Sequence, residues 1–167
     1  DEAELFLNGK SLGRKKKAAY EYRLRWDDVT YKPGTLKVIA YKNGRKWATD
    51  VVQTAGAPAR LKLAADRNRI SAGGTDLCFV TVTVTDKAGV VVPHAADRIR
   101  FTVAGPGEIV ATDNGDPTSF ESFQSPARKA FNGQCLVILR GQAGQVELRA
   151  QAEGLALAKI FVALAPK

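Results

Sequence analysis

Apolar and polar residues alternate along this chain with a period of two, and no segment shows a convincing helical period. Residues 4–8 place Leu5 and Leu7 on one side, and Asn8-Gly9 follows as a hairpin turn signal. Tyr20, Tyr22, Leu24 and Trp26 then oppose Glu21, Arg23 and Arg25, which predicts a half-buried antiparallel strand with Trp26 in a core. After Pro33-Gly34, Leu36, Val38 and Ala40 alternate with Lys37, Ile39 and Tyr41, and Asn43-Gly44 turns the chain into a further strand over 47–54. Four strands are few for a closed sandwich, so at least one more strand is expected ahead of Asp1.

The short Ala55-Gly56-Ala57-Pro58-Ala59 segment reads as a domain boundary, dividing the chain into 1–56 and 57–167. Beyond it the alternation resumes over 61–63 and 77–85, where Cys78, Val80, Val82 and Val84 share a core side and Thr81, Thr83 and Thr85 the other. Ile99, Phe101 and Val103 follow, then a short strand over 108–112 and strands over 135–140, 145–151 and 157–164. About seven strands in about a hundred residues is immunoglobulin-like spacing. The reading is all-β: two consecutive immunoglobulin-like β-sandwich domains, the first lacking its leading strand or strands.

Composition changes this picture little and charge changes it locally. Hydrophobic residues make up 45% and charged residues 25%, as in ordinary globular domains. There is no apolar run long enough to span a bilayer, and the acidic start Asp1-Glu2-Ala3-Glu4 is unlike a signal peptide, so no membrane partner is expected. Of the net charge of +8, residues 1–60 carry +6, with 13 Lys+Arg against 7 Asp+Glu. Its densest part, Arg14-Lys15-Lys16-Lys17, reads first as a solvated hairpin loop and second as a patch for a polyanion; with no nucleic-acid motif beside it, nucleic acid is not an expected partner. Cys78 and Cys135 are the only cysteines and His94, in a surface loop, the only histidine, so neither a structural zinc nor any other cofactor is expected. Both thiols fall in predicted strands. Buried free thiols are the more economical reading and a cystine the alternative.

One stretch stands apart. From Asp113 to Lys129 the chain runs through Asp113-Asn114-Gly115-Asp116-Pro117 into about fifteen residues without an apolar period, and loops of that length inside compact domains bind, cap or dock something. Asp113, Asn114, Asp116 and Glu121 cluster oxygen atoms, but without the spacing of a calcium loop or an acid/base pair set in a pocket; turn chemistry is the reading, with no metal and no catalytic residue. Phe120 and Phe123, with Phe131 beyond, either plug the sandwich, dock on a neighbouring domain or contact a sugar, and Arg128 and Lys129 are placed to pair with acids across such an interface. The candidate contact residues are therefore Asp113, Asn114, Asp116, Phe120, Glu121, Phe123, Arg128 and Lys129.

Several phrases together resemble a known family. Glu4 to Gly13, Tyr22-Arg23-Leu24-Arg25-Trp26 and Tyr31 to Leu36 resemble the small sandwich that follows the catalytic barrel in β-galactosidase-type glycoside hydrolases of family 2. Phe79-Val80-Thr81-Val82, Gly105-Pro106-Gly107, Asp113 to Thr118 and Arg128 to Gly133 resemble the immunoglobulin-like module that comes next. The resemblance implies a parent that hydrolyses β-galactosides with retention, through two glutamates on a barrel this chain does not encode. It further implies a periplasmic or extracellular setting. The chain would then be a non-catalytic accessory part that braces or docks on the catalytic domain of the same polypeptide; the alternative is an autonomous carbohydrate-binding module with Trp47, Tyr31, Phe120 or Phe123 as stacking platforms.

Overall fold

The computed structural model describes residues 1–166, and there is no helix among them. Thirteen strands run in order: β1 Glu2–Leu7, β2 Lys10–Lys16, β3 Thr35–Lys42, β4 Arg45–Gln53, β5 Arg60–Ala65, β6 Arg69–Ser71, β7 Cys78–Thr85, β8 Arg98–Ala104, β9 Gly107–Asp113, β10 Ala127–Lys129, β11 Gln134–Gly141, β12 Gly144–Gln151 and β13 Ala158–Ala165. They form two compact units, Asp1–Thr54 and the chain from Ala55 onward.

The first unit is a single antiparallel sheet in the order β2-β1-β3-β4. Asn8 and Gly9, both at positive φ, close β1 onto β2. This contact decides the second strand. Residues 20–26, expected to form it, lie outside any strand, and Tyr20 and Tyr22 are exposed. A two-residue turn makes Lys10–Lys16 the immediate neighbour of β1 in space, so local closure wins over the better alternation further along. The basic cluster is therefore not a hairpin loop: Arg14, Lys15 and Lys16 belong to β2. Arg14 pairs with Glu2 at 2.6 Å and lies 3.7 Å over the Tyr41 ring, whose hydroxyl bonds Glu4. Register puts Ala3, Leu5 and Leu7 of β1 opposite Ala40, Val38 and Leu36 of β3, which makes the other side of the sheet apolar. Among the described residues no side chain of this unit is buried. Trp26, expected in a core, is only half-buried, its Nε1 donating to the Gly13 carbonyl at 3.3 Å.

The second unit is a two-layer sandwich: a five-stranded sheet β10-β8-β12-β13-β6 packs on a four-stranded sheet β5-β7-β11-β9. All neighbours are antiparallel except β13 and β6. Between the layers lie Cys78, Val80, Val82 and Val84 of β7, Val137 and Leu139 of β11, and Val146, Leu148 and Ala150 of β12, as the alternation requires. The short strands β6 and β10 have too little pattern to be read from sequence and exist through their neighbours. Thr85, expected on the outward side with Thr81 and Thr83, is buried where β7 ends.

Both thiols are free and buried. Cys78 pairs across the β7–β11 ladder with Leu139 and Cys135 with Val82, four rungs apart, so about 14 Å separates them and a disulfide needs Cα atoms within about 7 Å. Burial pushes the Cys78 thiol up to about 11 and the Cys135 thiol up to about 12.

Candidate functional site: the Asp113–Lys129 loop

The loop runs from β9, an edge of one sheet, to β10, an edge of the other, so it closes one side of the sandwich. Its first part is turn chemistry. Asp113 Oδ1 accepts the Asn114 N–H at 2.7 Å and the Gly115 N–H at 3.3 Å, while Asn114 Oδ1 accepts the Asp116 N–H at 3.0 Å. The Asn114 amide also donates to the Lys129 carbonyl at 2.9 Å, tying the loop's start to its end. Asp116 Oδ1 accepts both the hydroxyl (2.7 Å) and the N–H (2.8 Å) of Thr118. These bonds from Thr118, with Lys129 nearby, hold the Asp116 carboxyl below its ordinary value.

The second part is organised from within by Arg128. Its side chain is 1% exposed. Its guanidinium donates through Nε to Thr112 Oγ1 (3.3 Å), through one terminal nitrogen to the Glu121 carbonyl (3.1 Å), and through the other to the carbonyls of Thr112 and Ser122 (2.7 Å each). The planar fork thus joins the end of β9 to the middle of the loop. Glu121 supplies the counter-charge: Oε2 lies 3.7 Å from Arg128, and Oε1 meets Arg98 of β8. The Thr112 hydroxyl donates on to the Ser125 carbonyl at 2.8 Å, and the Thr112 N–H donates to the Phe123 carbonyl at 2.6 Å. A buried cation here satisfies carbonyls that an irregular loop would otherwise leave unpaired.

With the backbone held this way, the aromatics point outward. Phe120 is 100% exposed and Phe123 62%, with the Arg128 guanidinium 5.9 Å from the Phe123 ring. Neither plugs the core, so that expectation is corrected: the sandwich interior is already filled by strand residues, and the loop's inward position belongs to Arg128. Phe131 is partly exposed in the turn before β11. Of the eight candidates, Asp113, Asn114 and Asp116 meet at the loop's entrance, with Lys129 contributing its carbonyl. Glu121 and Arg128 form its inner pair, with Phe123 beside them. Phe120 stands alone. Arg128 does not reach across an interface; it is spent inside the unit. Thr112 and Arg98, which sequence reasoning missed, complete the network; a threonine in the inward register of β9 was the available signal for the first. Each carboxylate of the loop serves a turn or an arginine, and the arrangement displays a shaped surface.

The first unit adds a cleft of about 470 Å³ between its sheet and the 26–32 segment, walled by Leu7, Leu12, Trp26 and Val29 and rimmed by Asp27, Asp28, Lys15 and Lys32.

Known proteins carry the same fold. The family described as glycoside hydrolase family 2 C-terminal domain 5 matches residues 61–161, and a domain of unknown function, DUF4982, matches residues 1–48. A β-galactosidase of Bacteroides ovatus is 46% identical over 93% of this chain, and a putative β-glucuronidase of Formosa agariphila 32% over 84%. The crystal structure of a β-glycosidase from Bacteroides vulgatus superposes with a TM-score of 0.92 at 33% identity, covering 98% of this chain and 21% of that one. The chain spans only 18% and 14% of the two sequence relatives. Its second unit, matched almost throughout by the family's own domain, makes this chain a member of glycoside hydrolase family 2, as a non-catalytic C-terminal part.

Proposed function

We propose that this chain braces and docks on the catalytic domain of a retaining, β-galactosidase-type parent, with the Asp113–Lys129 loop as the contact. The observation that carries the reading is the buried Arg128 network beneath a fully exposed Phe120: a loop held this firmly spends little conformational entropy on association, and an exposed aromatic on a firm base has the character of an interface anchor. Further contact surface is available on the outward side of β7 and β11, where Phe79 faces Ile138 and Thr81 faces Leu136. The apolar side of the first sheet, covered only in part by the 26–32 segment, suits a further layer of the same polypeptide. A galactoside-cleaving parent is favoured over a glucuronide-cleaving one by the 46% identity to the first relative against 32% to the second.

Replacing Phe120 with alanine tests docking. In this chain the substitution removes no contact and leaves the melting temperature unchanged; in the full-length enzyme it lowers thermal stability or turnover on an aryl β-galactoside. An unchanged full-length enzyme, or a full-length enzyme active only on β-glucuronides, would refute the corresponding half of the proposal. Binding of neutral galactosides by the isolated chain, abolished by the same substitution, would instead favour the carbohydrate-binding reading.

A further inference from the structure

The β3–β4 hairpin gathers cations that form no ion pair among the described residues. Asn43 and Gly44, both at positive φ, make a two-residue turn that sets Lys42 directly opposite Arg45 and Tyr41 opposite Lys46. Like charges facing each other across a ladder are destabilising, and here they sit beside a third cation. Register brings Lys16, at the end of β2, to the same end of the sheet, through its pairing with Glu2 and that of Glu2 with Tyr41; Lys17 follows it. Of the carboxylates within reach, Glu2 pairs with Arg14, and Asp1 lies against the hairpin turn, accepting the Asn43 N–H at 2.9 Å without pairing with any of the hairpin's cations. Among the described residues, Lys16, Lys17, Lys42, Arg45 and Lys46 form no ion pair.

An aromatic stands in the middle of these cations. The ladder between β3 and β4 slips at Ala40/Tyr41, passing from Ala48 to Lys46, so Trp47 is the extra residue of a β-bulge, a feature that re-aims the side chain it carries. The indole is 70% exposed, with the Lys42 ammonium 4.7 Å from its ring. A large apolar ring left in water, on a strand whose every residue is exposed, contributes nothing to a core.

From these two observations together we infer that the β3–β4 hairpin binds an acidic polysaccharide, a uronate- or sulfate-bearing chain, with Trp47 stacking on the C–H face of a sugar ring and Lys42, Arg45 and Lys46 pairing with its anionic groups. Stacking supplies a contact that a bare cation cluster lacks, and the guanidinium of Arg45 takes a carboxylate or sulfate through two parallel N–H bonds. Lys16 and Lys17 extend the positive track along the sheet end. This inference is independent of the docking loop, which lies in the other unit.

The test is binding of the 167-residue chain to heparin and to polygalacturonate at low and at physiological salt, with neutral galactan and a double-stranded DNA oligomer as comparisons. Both acidic polysaccharides bind, neutral galactan does not, and affinity falls as salt rises. Trp47→Ala weakens binding about tenfold at fixed salt, and Trp47→Phe restores most of it. The combined Lys42→Gln, Arg45→Gln, Lys46→Gln variant loses more and flattens the salt dependence, whereas Lys62→Gln with Lys87→Gln, in the other unit, changes neither. All these positions are exposed, so unchanged melting curves certify the folds. Failure to bind either acidic polysaccharide would overturn the inference. So would binding indifferent to Trp47→Ala, or DNA binding equally tight with the same sensitivity to the variants, which would mark a nucleic-acid or purely electrostatic surface.

Discussion

Arg128 shows how one buried side chain can hold an irregular loop in shape. Removing its guanidinium leaves the carbonyls of Thr112, Glu121 and Ser122 without that donor, and leaves the Glu121 carboxylate with Arg98 alone as counter-charge. A buried carbonyl left without its donor costs about 1–3 kcal/mol, so Arg128→Met should lower the urea midpoint of the second unit accordingly. Arg128→Lys keeps the charge but not the fork, and should recover only part of that loss. Asp86 plays a comparable part at the start of the second unit. Its carboxylate accepts N–H groups from Gly56, Val90 and Ala88, and these bonds hold its pKa below the ordinary value. A carboxyl depressed on folding stabilises the protein above its unfolded pKa of about 3.9, and that stabilisation disappears as pH falls through the lower folded value. Asp86→Asn should therefore melt below the parent chain at neutral pH, and the gap should close on acidification below about pH 4. A gap that stays constant with pH would show that the side chain's shape, and not its charge, is what matters.

Among the elements, the turn between β10 and β11 is sharply determined. Gly133 has φ +75, and a Cβ there would come within 2.3 Å of the Val92 carbonyl oxygen. Both the strained φ and the clash act against any side chain, so Gly133→Ala should destabilise the second unit by roughly 2 kcal/mol or more, read by thermal or urea unfolding. The element that pattern alone misplaced is β2. The stretch from Tyr20 to Trp26 alternates well, yet it lies in a non-strand segment because the Asn8-Gly9 turn delivers Lys10–Lys16 to β1 first. Leu12 is the only large apolar residue in β2, and the strand holds its place through backbone pairing and the Arg14 contacts with Glu2 and Tyr41. Short strands such as β10 likewise depend on a neighbour: Ala127, Arg128 and Lys129 become a strand because β8 offers an edge.

Over the whole molecule the two units differ in how their strands are protected. The second has a continuous buried cluster between two sheets, whereas the first is one sheet with an apolar side and no buried side chain among the described residues. Single sheets of this size are marginal without a second layer. Hydrogen exchange should therefore show the amides of β1–β4 exchanging far faster than those of β7, β8, β11 and β12 in this chain, and slowing in the full-length parent. Equal protection in both units of this chain would refute that account.

Sequence alone determined the all-β class, the turns at Asn8-Gly9 and Asn43-Gly44, the inward residues of β7, β8 and β12, and the existence of a loop between Asp113 and Lys129, because each follows from local periodicity or from a residue that tolerates positive φ. The family resemblance rested on the same phrases. Tertiary structure decided the rest. That Arg128 lies inside and Phe120 outside, that Trp47 is the extra residue of a bulge among unpaired cations, and that the two thiols stand four rungs apart all depend on register between strands distant in sequence. Register is set by the packing of whole faces and by which strand reaches an edge first, and no window of neighbouring residues contains that information.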